Sequence, residues 1–355
     1  MDRTKLKPLL IPANTSLKAA MQKLSETAEK ILFVINEDEK LLGTVTDGDI
    51  RRGLLNGLNF VESVEKVMYR KFISLSFDVS DLKKQAERIM IEKKIEQIPI
   101  LDGNGLITDA ILWTDLFDTG QTKKKVNYPN QVVIMAGGKG TRLDPFTRIL
   151  PKPLIPIGDK PVVELIMERF YLHGFLKFIY TLNYKKEYIK LFLKENDFPY
   201  TIDWVEEKDF LGTAGSLSLL KDKITDTFFV INCDSILDVD FEDVLKWHKQ
   251  QGALLTIIGC HKEVKVPFGV LELNKGCLTN IIEKPIYDVT INTGVYVMEP
   301  SVLSYMTQGE AIDMNKLIEL IAEKEKISVY PVSHGWIDIG QWEEYRKTIE
   351  RLGSF

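Results

Sequence analysis

A glycine-rich segment, an arginine and a lysine lie close together in this sequence of 355 residues. The apolar run 132–135 predicts a buried strand, and Gly137, Gly138 and Gly140 follow it where the chain must turn. Because glycines have no Cβ, their backbone N–H groups can approach anionic oxygens closely. We therefore predict a phosphate-binding loop that suits a nucleoside triphosphate. Its expected contacts are Ala136, Gly137, Gly138, Gly140 and Thr141.

Arg142 and Lys152 supply positive charge beside this loop. The arginine offers a rigid fork of donors for phosphate oxygens. Lys152 stands between Pro151 and Pro153, which restrict the backbone around it, so its ammonium group is preorganised. A solvated lysine or a PxxP ligand for a partner domain is the alternative, but the apolar residues that follow favour a partly buried segment. We predict that both cations are catalytic.

Two familiar phosphate loops do not fit this glycine spacing. A dinucleotide fingerprint needs a third glycine where Leu143 stands, and a P-loop needs Gly-Lys-Ser/Thr four residues after its first glycine. A plain connection from a strand to a helix is the remaining alternative for such a loop taken alone. The two neighbouring cations favour phosphate binding instead.

The order of these motifs resembles the signature of the sugar-1-phosphate nucleotidyltransferases, a GGxGTRL loop followed by PKPLxPxxxKP. Here the two parts occupy residues 137–143 and 151–161. The resemblance implies that a sugar-1-phosphate oxygen attacks the α-phosphorus of a nucleoside triphosphate in line and releases pyrophosphate. Catalysis would then consist mainly of aligning two anions and neutralising their charge. The product would be a nucleoside-diphosphate sugar.

Further motifs of that family follow in the same order. The string LGTAG at 211–215 implies contacts with the base and the ribose. The segments FG, EKP and NTG imply contacts with the sugar, whose hydroxyls suit carboxylate and amide groups and whose phosphate suits a lysine. The resemblance assigns Gly212 and Thr213 to the nucleotide, and Gly269, Glu283, Lys284, Asn292 and Thr293 to the sugar.

Acidic residues after predicted strands are candidates for metal binding. Asp234 follows the apolar strand 228–231, where a carboxylate can hold Mg²⁺ against triphosphate oxygens. Taken alone it could instead be a cap or a loop acid, and Asp238 and Asp240 compete with it. The string WIDIG resembles a family motif in which the acid, here Asp338, joins the first one on the metal. The alternative for Asp338 is a cap of the following helix.

The composition excludes several other classes of protein. With 45% hydrophobic residues the chain can bury a large core, and its length favours two domains. A net charge of −5 gives no electrostatic footprint for nucleic acid. The three cysteines have no metal-type spacing and indicate reduced thiols. We find no signal peptide or membrane-spanning run, so we expect a soluble cytoplasmic protein without a membrane partner.

The chain divides into two differently patterned halves. From residue 131 onward, apolar strands alternate with helical stretches, which predicts a Rossmann-like, doubly wound α/β sheet with ligands at the carboxyl ends of its strands. Upstream, a helix-strand-strand-helix pattern repeats every ~65 residues and resembles a tandem pair of α+β CBS domains. The predicted boundaries are 1–62 and 63–120 for the CBS domains, 121–129 for a linker and 130–355 for the nucleotidyltransferase domain.

The first CBS copy resembles the nucleotide-binding pattern of that family. Thr46 and Asp49 would hold a ribose, while Arg51 and the start of a helix favour phosphate. The alternative is that Thr46 and Asp49 cap this helix. Aligning Asp115 with Asp49 puts Leu112 at the place of Thr46, so we predict at most one adenine nucleotide. Without it the pair would serve self-association, and we expect a homo-oligomer.

A CBS pair fused directly to such a transferase resembles bacterial guanylyltransferases that act on glucosamine-1-phosphate in legionaminic acid biosynthesis. The fusion favours GTP, although nothing in the motifs excludes dTTP, UTP or CTP. Mannose-1-phosphate guanylyltransferase and glucose-1-phosphate thymidylyltransferase activities are the alternatives within the family. A non-catalytic nucleotide sensor is the alternative from another class. Against it stand Arg142, Lys152, Asp234 and Asp338, because a degenerate subunit is expected to lose at least one of them.

Overall fold

The computed structural model describes residues 6–27, 31–79, 81–93, 95–112, 116, 127–332 and 335–352. Its contacts divide the chain into two units, Met1–Lys124 and Lys125–Phe355. The mixed α/β class expected from the alternating pattern is confirmed. Among the described residues, no helix combines the length and the apolar composition that crossing a membrane requires.

The N-terminal unit contains two small sheets with the same strand order and directions. In each sheet the central strand pairs in parallel with the first strand and antiparallel with the third. The repeat predicted from the sequence is therefore present in the fold. Its elements are β1 (Leu10–Pro12), α1 (Leu17–Thr27), β2 (Ile31–Ile35), β3 (Leu41–Thr46), α2 (Asp47–Leu55), β4 (Leu75–Ser76), α3 (Leu82–Lys93), β5 (Gln97–Leu101) and β6 (Ile107–Leu112).

Thr46 and Asp49 form a capping box at the start of α2. The Asp49 N–H donates to Thr46 Oγ1 at 3.3 Å, and the Thr46 N–H donates to Asp49 Oδ2 at 2.9 Å. Asp49 also pairs with Arg52, while Arg51 is buried and pairs with Asp47. Thr46 and Asp49, the two predicted ribose ligands, thus cap the start of α2, as the alternative interpretation held. Asp115, their predicted counterpart in the second copy, lies outside the described residues.

The C-terminal unit is built on one large sheet. Its elements are β7 (Tyr128–Ala136), α4 (Phe146–Ile149), β8 (Pro156–Ile157), β9 (Lys160–Pro161), α5 (Val162–Leu172), β10 (Phe175–Leu182), α6 (Lys186–Glu195), β11 (Thr201–Glu206), β12 (Phe228–Asn232), β13 (Ser235–Leu237), α7 (Phe241–Gln251), β14 (Leu255–Lys265), β15 (Val270–Asn274), β16 (Cys277–Ile282), β17 (Ile286–Met298), α8 (Met314–Ala322), β18 (Ile327–Val332), β19 (Trp336–Asp338) and α9 (Trp342–Leu352). Seven of the strands form the sheet, in the order β11-β10-β7-β12-β17-β14-β18.

Strand β7 lies inside this sheet and is buried on both faces. Val132 and Ile134 belong to one hydrophobic cluster, and Val133 belongs to the cluster on the opposite face. This double burial explains the continuous apolar run in the sequence. Because β7 is parallel to β10 and β12, and β10 to β11, the carboxyl ends of these four strands share one edge. The glycine loop leaves the sheet at that edge.

Two strands of this unit extend beyond their apolar runs in the sequence. Strand β7 begins at Tyr128, inside the predicted linker. The Tyr128 ring stacks on the ring of Phe175, with centroids 4.9 Å apart. Residues 121–126 of that linker lie outside the described residues. Strand β14 continues to Lys265 by pairing with β17, and the hairpin β15–β16 follows. We call residues 264–289 the hairpin arm; its apolar side chains include Phe268 and Leu273, which are 73% and 64% exposed.

Candidate active site

Lys152 and Asp234 form an ion pair at the carboxyl edge of the sheet. Lys152 opens a short 3-10 turn after Pro151, whose extended backbone aims the side chain inward, and Asp234 follows β12. The two side chains are only 18% and 17% exposed. Burial is the largest single influence and lowers the pKa of Lys152. The charge of Asp234, its hydrogen bond to the lysine and the charge of Asp338 act together in the opposite direction, and the pKa of Lys152 is raised. The ammonium group therefore stays protonated, as phosphate binding requires.

A second acid reaches the same place through an antiparallel strand pair. Strands β13 and β19 place Ser235 opposite Asp338, and the Ile339 N–H donates to the Asp234 carbonyl at 2.9 Å. The Asp338 carboxylate accepts a 2.8 Å hydrogen bond from the Gly340 N–H. The two acids are thus neighbours although they are far apart in the sequence.

The pKa of Asp338 is raised, and burial is the main cause. Burial raises the pKa of Asp338, and the negative charge of Asp234 adds to this effect. The hydrogen bond from Gly340 and the charges of Lys152 and Arg142 act in the opposite direction. Arg142 is itself exposed, yet its charge acts on this carboxylate. Both predicted cations therefore influence the acid pair.

The Cα of Gly340 faces the small space that these groups share. A Cβ at this position would lie 2.6 Å from Asp234 Oδ2, 2.8 Å from Asp338 Oδ1 and 3.4 Å from Lys152 Nζ. Two carboxylates that converge in this way fit a divalent cation whose remaining ligands are phosphate oxygens and water. The described part of the chain has no group of three or more His, Cys, Asp or Glu residues suited to a metal. A metal here would therefore rely on the nucleotide for further ligands.

Asp238 and Asp240, the competing candidates for the metal, have other contacts. Asp240 caps α7 by accepting hydrogen bonds from the N–H groups of Glu242 and Asp243. Asp238 lies 3.6 Å from Arg169 and is largely exposed. The structure therefore favours Asp234 and Asp338 as the acid pair.

The glycine loop closes over Lys152. Gly140 has a φ of 67°, and a Cβ there would approach Lys152 Cβ and Thr147 Cγ2 to 3.0 Å. Ala136 is buried at the end of β7, whereas Gly138 has open space where a side chain would stand. Thr141 is exposed at the start of a 3-10 turn. The loop thus packs against the aliphatic stem of Lys152.

Glu207 is a buried acid of this edge that motif analysis missed. Only 4% of it is exposed, and its Oε2 accepts a 3.0 Å hydrogen bond from the Leu211 N–H. Its Oε1 occupies the place where a side chain of Gly137 would begin. Burial raises the pKa of Glu207, while hydrogen bonds from Leu211 and Asn183 act against this. The only sequence signal was an acid directly after β11, four residues before LGTAG.

Thr213, a predicted nucleotide contact in the LGTAG loop, already forms hydrogen bonds with another segment of the chain. The Thr213 N–H and Oγ1 donate to Asp313, and Thr213 Oγ1 accepts from the Met314 N–H. Gly212 has a φ of 76° and contacts the same segment. Thr213 therefore shapes this loop, and its side chain is already satisfied without a ligand.

The predicted sugar contacts divide into two groups. Thr293 is buried, and its hydroxyl donates to the Ile258 carbonyl at 2.7 Å, so its side chain serves the sheet rather than a ligand. Asn292 donates to Tyr296 Oη and accepts from the Gly294 N–H. Both lie near the end of β12, where Asn232 packs against Gly294.

Gly269, Glu283 and Lys284 lie together on the hairpin arm. A Cβ on Gly269 would be 3.0 Å from Glu283 Oε2, and Glu283 and Lys284 are 71% and 69% exposed. Among the described residues, no hydrogen bond or ion pair joins these three to Lys152 or Asp234. The structure thus brings the two acids and two cations together but keeps the arm residues apart from them.

Comparison with known proteins agrees with this geometry. Residues 131–354 match the family model described as Nucleotidyl transferase, and residues 2–56 match the CBS domain. A probable mannose-1-phosphate guanylyltransferase of Oryza sativa is 32% identical over 225 residues, which cover 61% of this chain and 62% of that protein. A UTP–glucose-1-phosphate uridylyltransferase of Synechocystis is 30% identical over 246 residues, 63% of each chain. The chain spans less than two thirds of the length of either relative.

Solved structures give the same result. HddC from Yersinia pseudotuberculosis is 27% identical with a TM-score of 0.51, over 62% of this chain and 99% of that chain. HddC has also been crystallised in complex with GMP-PN. The acids and cations described above lie in the residues that match the Nucleotidyl transferase family model.

Gly340→Ala should lower catalytic turnover by about 100-fold, because its methyl group would displace the two acids and Lys152. The fold should persist, since the overlap is confined to side-chain ends. Gly103→Ala is the matched control, because nothing lies within 4 Å of a Cβ there. Turnover is measured with saturating substrates, and thermal unfolding checks the fold. Wild-type turnover of Gly340→Ala would contradict the conclusion that the two acids and Lys152 need the space beside Gly340.

Proposed function

Because the chain belongs to the nucleotidyl transferase family, we propose that it transfers a guanylyl group from GTP to a sugar-1-phosphate. The observation that carries this proposal is the convergence of Lys152, Asp234 and Asp338 around Gly340, beside the glycine loop. Such a cluster can neutralise a triphosphate and hold its α-phosphorus in place. The products would be pyrophosphate and a GDP-sugar.

The chemistry is proposed to rest on alignment and charge. The glycine loop binds the phosphates through backbone N–H groups, and Arg142 and Lys152 offset the charge that develops as pyrophosphate leaves. Asp234 and Asp338 would hold a divalent cation, which we propose is Mg²⁺ and which would neutralise triphosphate oxygens when bound. The sugar-phosphate oxygen is already ionised, so no general base is required. A sensor without activity is disfavoured because all four groups are present.

Glu207 supports guanine as the base. Its carboxylate is buried and would repel the triphosphate, so we propose that Glu207 faces the base while the phosphates lie toward Lys152. Guanine offers two adjacent donors, N1–H and the N2 amino group, which a carboxylate can accept together. Uracil and thymine flank their single N–H with two carbonyl oxygens, which would face the carboxylate with like partial charge. The names of the guanylyltransferase relatives point to the same base.

For the sugar we propose glucosamine-1-phosphate, on the basis of the CBS fusion and the implied role in legionaminic acid biosynthesis. Mannose-1-phosphate is the second candidate, because several of the relatives are mannose-1-phosphate guanylyltransferases. Their alignments cover 61% and 60% of this chain. Asn292 from the sheet, with Gly269, Glu283 and Lys284 from the arm, are the proposed sugar contacts.

The proposal predicts pyrophosphate release from GTP with glucosamine-1-phosphate in the presence of Mg²⁺. The assay pairs GTP, dTTP, UTP and CTP with the 1-phosphates of glucosamine, mannose and glucose. Lys152→Ala and Asp234→Ala should each lower turnover by about 10²–10³-fold, because each removes a charge that acts on the transition state. Nucleotide binding without turnover for every pair would favour the sensor, and near-normal turnover of either variant would remove its assigned role.

Glu207→Gln should lower kcat/KM for GTP by about 10–100-fold and reduce the preference over UTP, because an amide cannot accept both guanine donors. The neighbouring Glu206→Gln is the matched control, since Glu206 is half-exposed and pairs with Lys186 and Lys190. The measurement is kcat/KM for GTP and UTP with each variant. An unchanged GTP to UTP ratio in Glu207→Gln would show that this acid does not read the base.

For the N-terminal unit, binding of one adenine nucleotide beside Thr46, Asp49 and Arg51 stays a prediction. A ribose there would have to share Asp49 with the capping box and with Arg52. Calorimetry with AMP, ADP and ATP on the full chain should give one site, which Asp49→Ala removes. No heat of binding from any of the three would leave self-association of a homo-oligomer as the function of this unit.

A further inference from the structure

Backbone hydrogen bonds join the LGTAG loop to a chain segment about a hundred positions downstream. The Ile312 N–H donates to the Leu211 carbonyl at 3.0 Å. The N–H groups of Ala214 and Gly215 both donate back to the Ile312 carbonyl, at 3.0 and 3.1 Å. These bonds join two irregular stretches of backbone, and neither stretch belongs to a strand.

Asp313 and Thr213 complete this fastening by capping one another. Asp313 Oδ1 accepts from the Thr213 N–H at 3.0 Å and from Thr213 Oγ1 at 3.3 Å. In return, Thr213 Oγ1 accepts from the Met314 N–H at 2.8 Å. Asp313 is the N-cap residue of α8, yet its own side chain does not cap that helix. Thr213 of the LGTAG loop caps α8 instead, through the hydrogen bond from the Met314 N–H.

The two segments approach so closely that a side chain at Gly212 or Gly215 would overlap with the facing segment. A Cβ on Gly212 would lie 2.7 Å from the Ile312 carbonyl oxygen and 2.9 Å from Asp313 Oδ1. A Cβ on Gly215 would lie 2.6 Å from the Glu310 carbonyl oxygen. The glycines of LGTAG therefore serve this contact as well as any approach to a ligand.

We propose that Asp313 is a positioning residue for nucleotide binding, which acts by setting the conformation of the LGTAG loop. This rests on the proposed function, in which that loop lies at the base and ribose. Asp313 and Thr213 are exposed, whereas Met314, Leu317 and Ile321 anchor α8 in the core. Removing the Asp313 carboxylate therefore loosens the loop and leaves the helix in place.

Asp313→Ala should raise KM for the nucleoside triphosphate about tenfold, because two hydrogen bonds to a charged acceptor are lost. The KM for the sugar-1-phosphate and kcat should change less than about twofold. Asp313→Asn should restore most of the affinity, because its amide oxygen can accept from the Thr213 N–H. The matched control is Asp240→Ala, which removes the cap of α7 and should leave KM for the nucleotide unchanged.

An unchanged nucleotide KM in Asp313→Ala would overturn the proposal, and so would an equal rise in Asp240→Ala, which would indicate general destabilisation. Absence of turnover by the wild-type protein would instead count against the proposed function. In that case calorimetry with GTP compares the wild type with Asp313→Ala. About tenfold weaker binding would support the positioning role, and equal binding would overturn it.

Discussion

The ion pair between Lys152 and Asp234 is the interaction on which the candidate site depends. Both groups are mostly withdrawn from water, so each is stable only while its partner stays in place. A proline-bounded turn holds the lysine, and the start of the β13–β19 pair holds the acid. Asp338 adds a second carboxylate at the same point, so a bound cation would find two carboxylate ligands there.

Close approach of backbone is the second constraint. Gly137 faces Glu207, Gly140 covers Lys152, and Gly340 borders the acid pair. At Gly137 and Gly340 a side chain would occupy the place of a charged group, and at Gly140 it would meet the aliphatic stem of Lys152 and Thr147. The glycines therefore allow charged residues to lie against the first loop, with Glu207 at Gly137 and Lys152 at Gly140.

The residues proposed to contact the sugar are divided between the central sheet and the exposed hairpin arm. Thr293 and Asn292 are tied into the central sheet by hydrogen bonds. Glu283 and Lys284 stand on the hairpin arm, where solvent surrounds most of their surface. Sugar contacts that combine both parts would therefore depend on the position of the arm relative to the sheet.

The α/β class, the repeat in the N-terminal half, the glycine loop and its two neighbouring cations could be predicted from the sequence. These features follow from local rules, because strand periodicity, glycine spacing and proline restriction act over a few residues. The family resemblance predicted that Asp338 joins Asp234, and the pairing of β13 with β19 brings the two acids together. The contact of Glu207 with the first loop and the bonds between Thr213 and Asp313 are seen in the tertiary structure alone. Thr46 and Asp49 show the same limit, since capping a helix and holding a ribose require the same residue types. Pairings between distant segments are set by packing, which no short motif records.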